Sequence, residues 1–141
     1  MAESIFRSKV ENAGLQDEIA IDSAGTGDWH LGENPDPRTI RVLAEHGVHV
    51  FSRARQVRSE DFRKFDHLIA MDSANYRDLQ RWPGANPDKV SLMLDWENGG
   101  EVPDPYYGDM SDFSEVYSLL DGATTQLLAH LVENLQMTRT Q

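Results

Sequence analysis

Apolar residues recur along this chain at alternating helical and strand spacings. Ile5, Phe6, Val10 and Ala13 fall on one face of a helix over residues 2–13, and Gly14 is its stop. Ile19-Ala20-Ile21-Asp22 is a short apolar run that breaks into Ser23-Ala24-Gly25-Thr26-Gly27, a strand entering a small-residue turn. A long loop through Trp29 and Gly32 follows. Asp36 is then a good N-cap and Pro37 a good first helical residue, with Ile40, Leu43 and Ala44 as the buried face and Gly47 as the end. Ser59-Glu60-Asp61 caps a short helix to about Phe65. Leu68-Ile69-Ala70-Met71 reads as a second strand ending at Asp72, and residues 73–82 as a helix stopped by Pro83. Residues 90–94 read as a third strand and 95–112 as a long loop. Phe113, Val116, Tyr117, Leu120, Leu127, Leu128, Leu131 and Leu135 mark a final helix over 113–135.

Strands alternating with helices predict an α/β domain of three layers, a parallel sheet flanked by helices, over residues 1–141. Such sheets bind ligands beyond the carboxyl ends of their strands. Ser23, Asp72 and the 95–112 loop all follow predicted strand ends, so the pattern gathers them on one rim.

Composition narrows the partners. The chain carries 13 basic and 24 acidic residues, a formal net charge of −11. A surface of that sign repels a phosphate backbone, so nucleic acid is not an expected partner. No apolar run reaches the ~18 residues of a membrane span, and no basic-then-apolar leader opens the sequence, so a cytoplasmic location is the default. There is no cysteine. Disulfides, thiolate metal sites and a cysteine nucleophile are therefore excluded within these residues.

The most distinctive stretch is Val102-Pro103-Asp104-Pro105-Tyr106-Tyr107-Gly108-Asp109. The prolines restrict the backbone on both sides of Asp104 and bias it to an extended conformation. A carboxylate on a stiff loop beside two aromatic rings suits a general acid at the wall of an aromatic pocket. The plainer alternative is a Pro/Gly turn with two tyrosines packed on the core. Trp29 is equally open: a lid on the core or a ligand contact. His46, in the last turn of its helix, fits a dipole-facing helix end better than a metal ligand.

Several stretches together resemble the low molecular weight protein tyrosine phosphatases. They are Met1-Ala2-Glu3-Ser4-Ile5-Phe6, Ile21-Asp22-Ser23-Ala24-Gly25-Thr26, Pro35-Asp36-Pro37-Arg38, Ala54-Arg55-Gln56, Ala70-Met71-Asp72-Ser73-Ala74-Asn75 and Asp104-Pro105-Tyr106-Tyr107-Gly108, in family order over nearly the whole chain. The resemblance implies hydrolysis of phosphotyrosine in phosphorylated proteins through a cysteinyl-phosphate, with no metal or cofactor. Asp104 is then the general acid that protonates the leaving phenolate and later activates water. Tyr106, Tyr107 and Trp29 flank the substrate ring, Ser23 buttresses the phosphate loop, and Asp72 pairs with that loop's arginine. Many members have His where this chain has Ser52.

In that family a central first strand and a Cys-(five residues)-Arg-Ser phosphate loop precede the helix that opens Met-Ala-Glu. The resemblance therefore implies an N-terminally truncated domain, with its first central strand missing and its sheet edges open to self-association. The expectation is a chain inactive by itself, its gene product starting further upstream. The alternative is a nucleophile-free pseudophosphatase acting as a binding module. Arsenate reductase, which needs several cysteines, fits poorly. Phosphoarginine specificity stays open, because the residue that separates it from phosphotyrosine belongs to the absent loop.

Overall fold

The computed structural model describes residues 1–25, 36–50, 55–97, 99–103, 105 and 108–140, the side chains of 136–140 aside. Helices α1 (Ala2–Asn12), α2 (Pro37–Glu45), α3 (Asp61–Lys64), α4 (Ser73–Gln80) and α5 (Met110–Thr140) surround strands β1 (Leu68–Ala70) and β2 (Val90–Leu92). The strands are parallel, with Leu68 opposite Val90, Ile69 opposite Ser91 and Ala70 opposite Leu92. The stretch between them contains α4, as a parallel pair requires a crossover.

Strand alternation divides the layers. Leu68, Ala70 and Val90 point to one face and are buried with Val57, Phe62 and Leu79 beneath α3 and α4. Ile69 points to the other face, where it packs against Phe6 and Val10 of α1 and Leu127 of α5. A further cluster joins Ile5 of α1 and Leu43 of α2 to Val116, Leu120 and Ala123 of α5, with Met93, Leu94 and Val102. The architecture is thus the expected parallel sheet between helical layers. Among the described residues no helix is long and apolar enough to cross a membrane.

Several boundaries and faces differ from the sequence reading, among them the end of α5, which runs on from 135 to Thr140. Residues 19–24 form no strand. Ile19 and Ile21 still pack on the α1–α5 layer, but a strand exists only against a neighbour. The pairing begins later, where Gly25 donates to Arg55 O at 2.8 Å and Val57 donates to Gly25 O at 2.9 Å. β2 stops at Leu92 because Asp95 Oδ2 accepts the Leu92 N–H at 3.0 Å and Met93–Trp96 coil into a 3₁₀ turn.

On α2, Val42 and Leu43 are buried, whereas Ile40 is 41 % exposed and Ala44 faces solvent. The inward face runs through residues 38, 39, 42 and 43: Val42 and Leu43 are fully buried, Ile40 lies almost opposite Val42 around the helix, and Arg38 lies on the ring of Phe113. Asp36 does cap α2, accepting the Arg38 N–H at 2.8 Å. Gly47 does end it, with φ of 71°, a conformation that side chains disfavour.

α5 starts at Met110, not Phe113. Asp109 Oδ1 accepts N–H groups from Ser111 at 3.0 Å and Asp112 at 3.3 Å, and Asp112 Oδ2 accepts the Asp109 N–H at 3.0 Å. This is a reciprocal capping box built from two aspartates.

Gly122 interrupts the middle of α5. A Cβ there would meet the Glu97 carboxylate at 2.5 and 2.7 Å. Glu97 is exposed, and a carboxylate at the end of a flexible side chain can swing away. Gly122→Ala is therefore expected to stabilise the protein by about 1 kcal/mol through helix propensity. Urea unfolding checks this, and a loss of stability would show that Glu97 is held in place.

Candidate active site

The loop that carries Asp104 is tied at its entry to the carboxyl end of β1. Val102, 4 % exposed, is packed in the core, and its N–H donates to Met71 O at 2.8 Å. Asp72, the next residue after Met71, caps α4 by accepting the Asn75 N–H at 2.8 Å. Glu101 Oε1 accepts the Ser73 N–H at 2.5 Å. Pro103, Glu101, Asp72, Ser73, Arg77 and Glu115 line an open cleft of about 790 Å³ here. The rim expected from the strand ends is thus occupied by β1 and by the base of the loop.

This cleft is electrostatically unsuited to gripping phosphate by itself. The amides at an α4-like helix start can receive an anion, but Glu101 already sits on Ser73. Hydrogen bonds from Ser73, backbone first, hold the Glu101 carboxyl below its usual range. Three carboxylates, Asp72, Glu101 and Glu115, face one guanidinium, Arg77. Among the described residues no group of three His, Asp or Glu side chains is gathered to hold a metal.

The loop's exit is held separately. Arg38 Nη1 donates to Gly108 O at 2.8 Å, across 70 positions of sequence. The same guanidinium donates from Nε to Asp36 Oδ1 at 3.1 Å and from Nη2 to Asp36 Oδ2 at 3.0 Å, and lies 4.4 Å from the centroid of the Phe113 ring. Arg38's side-chain hydrogen bonds, then its backbone N–H, keep the Asp36 carboxyl below its usual value. Gly108 donates its own N–H to Pro105 O at 2.8 Å. Glycine is required at 108 for space: a Cβ would collide with the Asp112 carboxylate that caps α5. Asp109 is likewise held low, first by the Ser111 hydroxyl and then by the Asp112 and Ser111 amides.

Of the predicted site residues, Asp72 lies in the cleft. Ser23 is half-buried, donates its N–H to Asp22 Oδ1 at 2.8 Å, and is not among the residues lining the cleft. Asp104, Tyr106, Tyr107, Trp29 and Ser52 lie outside the described residues. His46 is the C-terminal cap of α2, its ring stacked 3.8 Å from that of Tyr117, as suits a helix-end residue.

Sequence reasoning missed two arginines. Arg38 and Arg55 stood out only as members of the family-like stretches Pro35–Arg38 and Ala54–Gln56, with no role of their own. Arg55 proves to bind Asp61 through both nitrogens, Nη1 to Oδ2 at 3.0 Å and Nη2 to Oδ1 at 3.1 Å, and Asp22 through Nε at 3.1 Å. It thereby ties the segment before Ser23 to α3.

A parallel α/β domain with an acidic cleft at the carboxyl end of β1 defines a class of rim-active enzymes and their relatives. Comparison with known proteins narrows the class. The family model described as "Low molecular weight phosphotyrosine protein phosphatase" matches residues 1–137. The low molecular weight protein-tyrosine-phosphatase of Streptomyces coelicolor is 42% identical over 143 residues, covering 96% of this chain and 87% of the relative. The low molecular weight phosphotyrosine protein phosphatase of Schizosaccharomyces pombe is 44% identical over 122 residues, covering 83% and 78%. A crystal structure of protein tyrosine phosphatase from Entamoeba histolytica, with Hepes in the active site, superposes with a TM-score of 0.88 at 36% identity, covering 94% of this chain and 88% of that one. The chain belongs to the low molecular weight phosphotyrosine protein phosphatase family.

Proposed function

We propose that these 141 residues form, as one domain, the proton-donor and ring-binding half of a phosphotyrosine phosphatase site. The reading that they form no cysteinyl-phosphate belongs to the same proposal. The observation that carries it is the anchoring of the 102–108 loop at both ends, by Met71 O on Val102 N and by Arg38 on Gly108 O. A loop fastened at the rim can present a carboxyl to a leaving group bound there.

Asp104 would donate its proton to the phenolate oxygen as the phosphorus–oxygen bond breaks, and would then take a proton from the water that attacks the phosphoenzyme. A free aspartate titrates near ~3.9, so the donor role needs an upward shift. Glu101 and Asp109, kept ionised by their hydrogen bonds, supply negative charge on both sides of Asp104 in sequence. Like charge disfavours ionisation of a neighbouring carboxyl. Tyr106, Tyr107 and Trp29 would bind the ring, Ser23 would support the phosphate loop, and Asp72 would pair with that loop's arginine.

The attacking half requires a thiolate and a nest of amides with an arginine around the phosphoryl oxygens. There is no cysteine in the chain, and the α4 amide at Ser73 is taken by a carboxylate. Purified as this 141-residue polypeptide, the protein is expected to hydrolyse para-nitrophenyl phosphate no faster than its Asp104→Ala variant. Turnover that disappears in Asp104→Ala would overturn the inactivity and require another nucleophile.

A further inference from the structure

Arg38 makes three kinds of contact from one guanidinium, and each has a different anchor. Asp36 grips it through two hydrogen bonds of 3.1 and 3.0 Å. Phe113, buried in the first turn of α5, lies beneath it at 4.4 Å. The remaining edge donates to Gly108 O at 2.8 Å. A planar fork held by a carboxylate and a ring has little freedom left, so its third contact is directed. Gly108 is in turn bonded to Pro105 O, and one peptide bond separates Pro105 from Asp104.

We propose that Arg38 is a positioning residue: clamped by Asp36 and Phe113, it fixes the Gly108 carbonyl and so holds the exit of the loop at Gly108 against the start of α2. Asp36 also caps α2, so one guanidinium ties the start of that helix to Gly108.

The inference rests on the reading of Asp104 as proton donor, and the test separates the two. Wild type, Arg38→Met and Arg38→Lys would be compared by amide hydrogen exchange and by carboxyl NMR titration of Asp104. In Arg38→Met, exchange at the Gly108 amide should accelerate at least ~10-fold while α5 amides from 116 to 127 keep their protection. The Asp104 midpoint should move by roughly half a unit or more, because the carboxyl changes surroundings. Arg38→Lys, which keeps one donor and the charge, should recover part of both and serves if Arg38→Met does not fold. Unchanged Gly108 exchange in a folded Arg38→Met would overturn the proposal. So would equal acceleration throughout α5, which would make Arg38 a fold staple. An Asp104 that titrates near ~3.9 in wild type would instead sink the proton-donor reading, and the Gly108 exchange would still decide Arg38.

Discussion

Phe62→Ala is expected to lower stability by about 3–5 kcal/mol, the usual range for emptying a buried aromatic site. Phe62 is 2 % exposed and sits among Val57, Leu68, Ala70, Leu79 and Val90. These neighbours come from both strands, from α4 and from the segment before α3. A cavity opened there cannot be closed by one side chain, because the strand residues are fixed by their ladder. Total stability of a domain this size is about 5–15 kcal/mol, so the loss is a large share of it. Phe62→Leu keeps most of the volume and should cost below about 1.5 kcal/mol. Urea unfolding at neutral pH separates the two, and a Phe62→Ala loss under about 1 kcal/mol would mean that the layer beneath α3 and α4 is loosely packed. The consequence reaches the rim. Phe62 follows Asp61, so the same side chain that fills this layer holds the carboxylate that binds Arg55.

How much of this was legible in the sequence follows from the range of each signal. Local chemistry read correctly: Asp36 with Pro37 and the stop at Gly47 depend on residues a few positions apart. The start of α5 was missed because its regular apolar spacing begins at Phe113, whereas the helix begins one turn earlier, behind a polar capping box. The pair Asp109 and Asp112, three apart, was the available signal. Residues 19–22 have a strand's composition, but strand formation depends on a neighbour that composition does not report. The face of α2 was misjudged because Val42, which the reading left out, is fully buried beside Leu43, and Ile40 lies almost opposite Val42 around the helix. For the site, alternation of strands and helices placed the rim, and the Asp-Pro-Tyr-Tyr-Gly motif marked its loop. What holds that loop was illegible: the Arg38–Gly108 and Val102–Met71 contacts join positions far apart in sequence, and neither arginine nor backbone announces its partner. The family assignment came from motif order, a signal that survives where local propensity is ambiguous.

Arg55→Met should be the second most damaging change, at about 3 kcal/mol near neutral pH. Asp61 has 11 % side-chain exposure, and removing its guanidinium leaves a carboxylate almost dry with the Arg58 N–H, at 2.8 Å, as its remaining support. Breaking a buried pair from one side costs about 3–5 kcal/mol. The lower end applies because Arg55 itself keeps 23 % exposure and water can reach the gap. The effect has a definite pH dependence. Burial pushes the Asp61 carboxyl up, but the hydrogen bonds from Arg55 and Arg58 and their charges outweigh it, and it lies below its ordinary 3.8. A carboxyl depressed in the folded state contributes stability in full above its unfolded value. That contribution is lost as pH falls through the folded value, since the unfolded chain then binds the extra proton. In Arg55→Met the carboxyl loses the partner that depressed it, protonates earlier, and escapes its buried charge. The gap between wild type and variant is therefore expected to be widest at neutral pH and to narrow below about pH 4. Urea midpoints at pH 7 and pH 3 measure it. A gap of the same size at both would show that Arg55 acts through packing of its stem, and that the Asp22–Arg55–Asp61 chain does not hold the rim by charge.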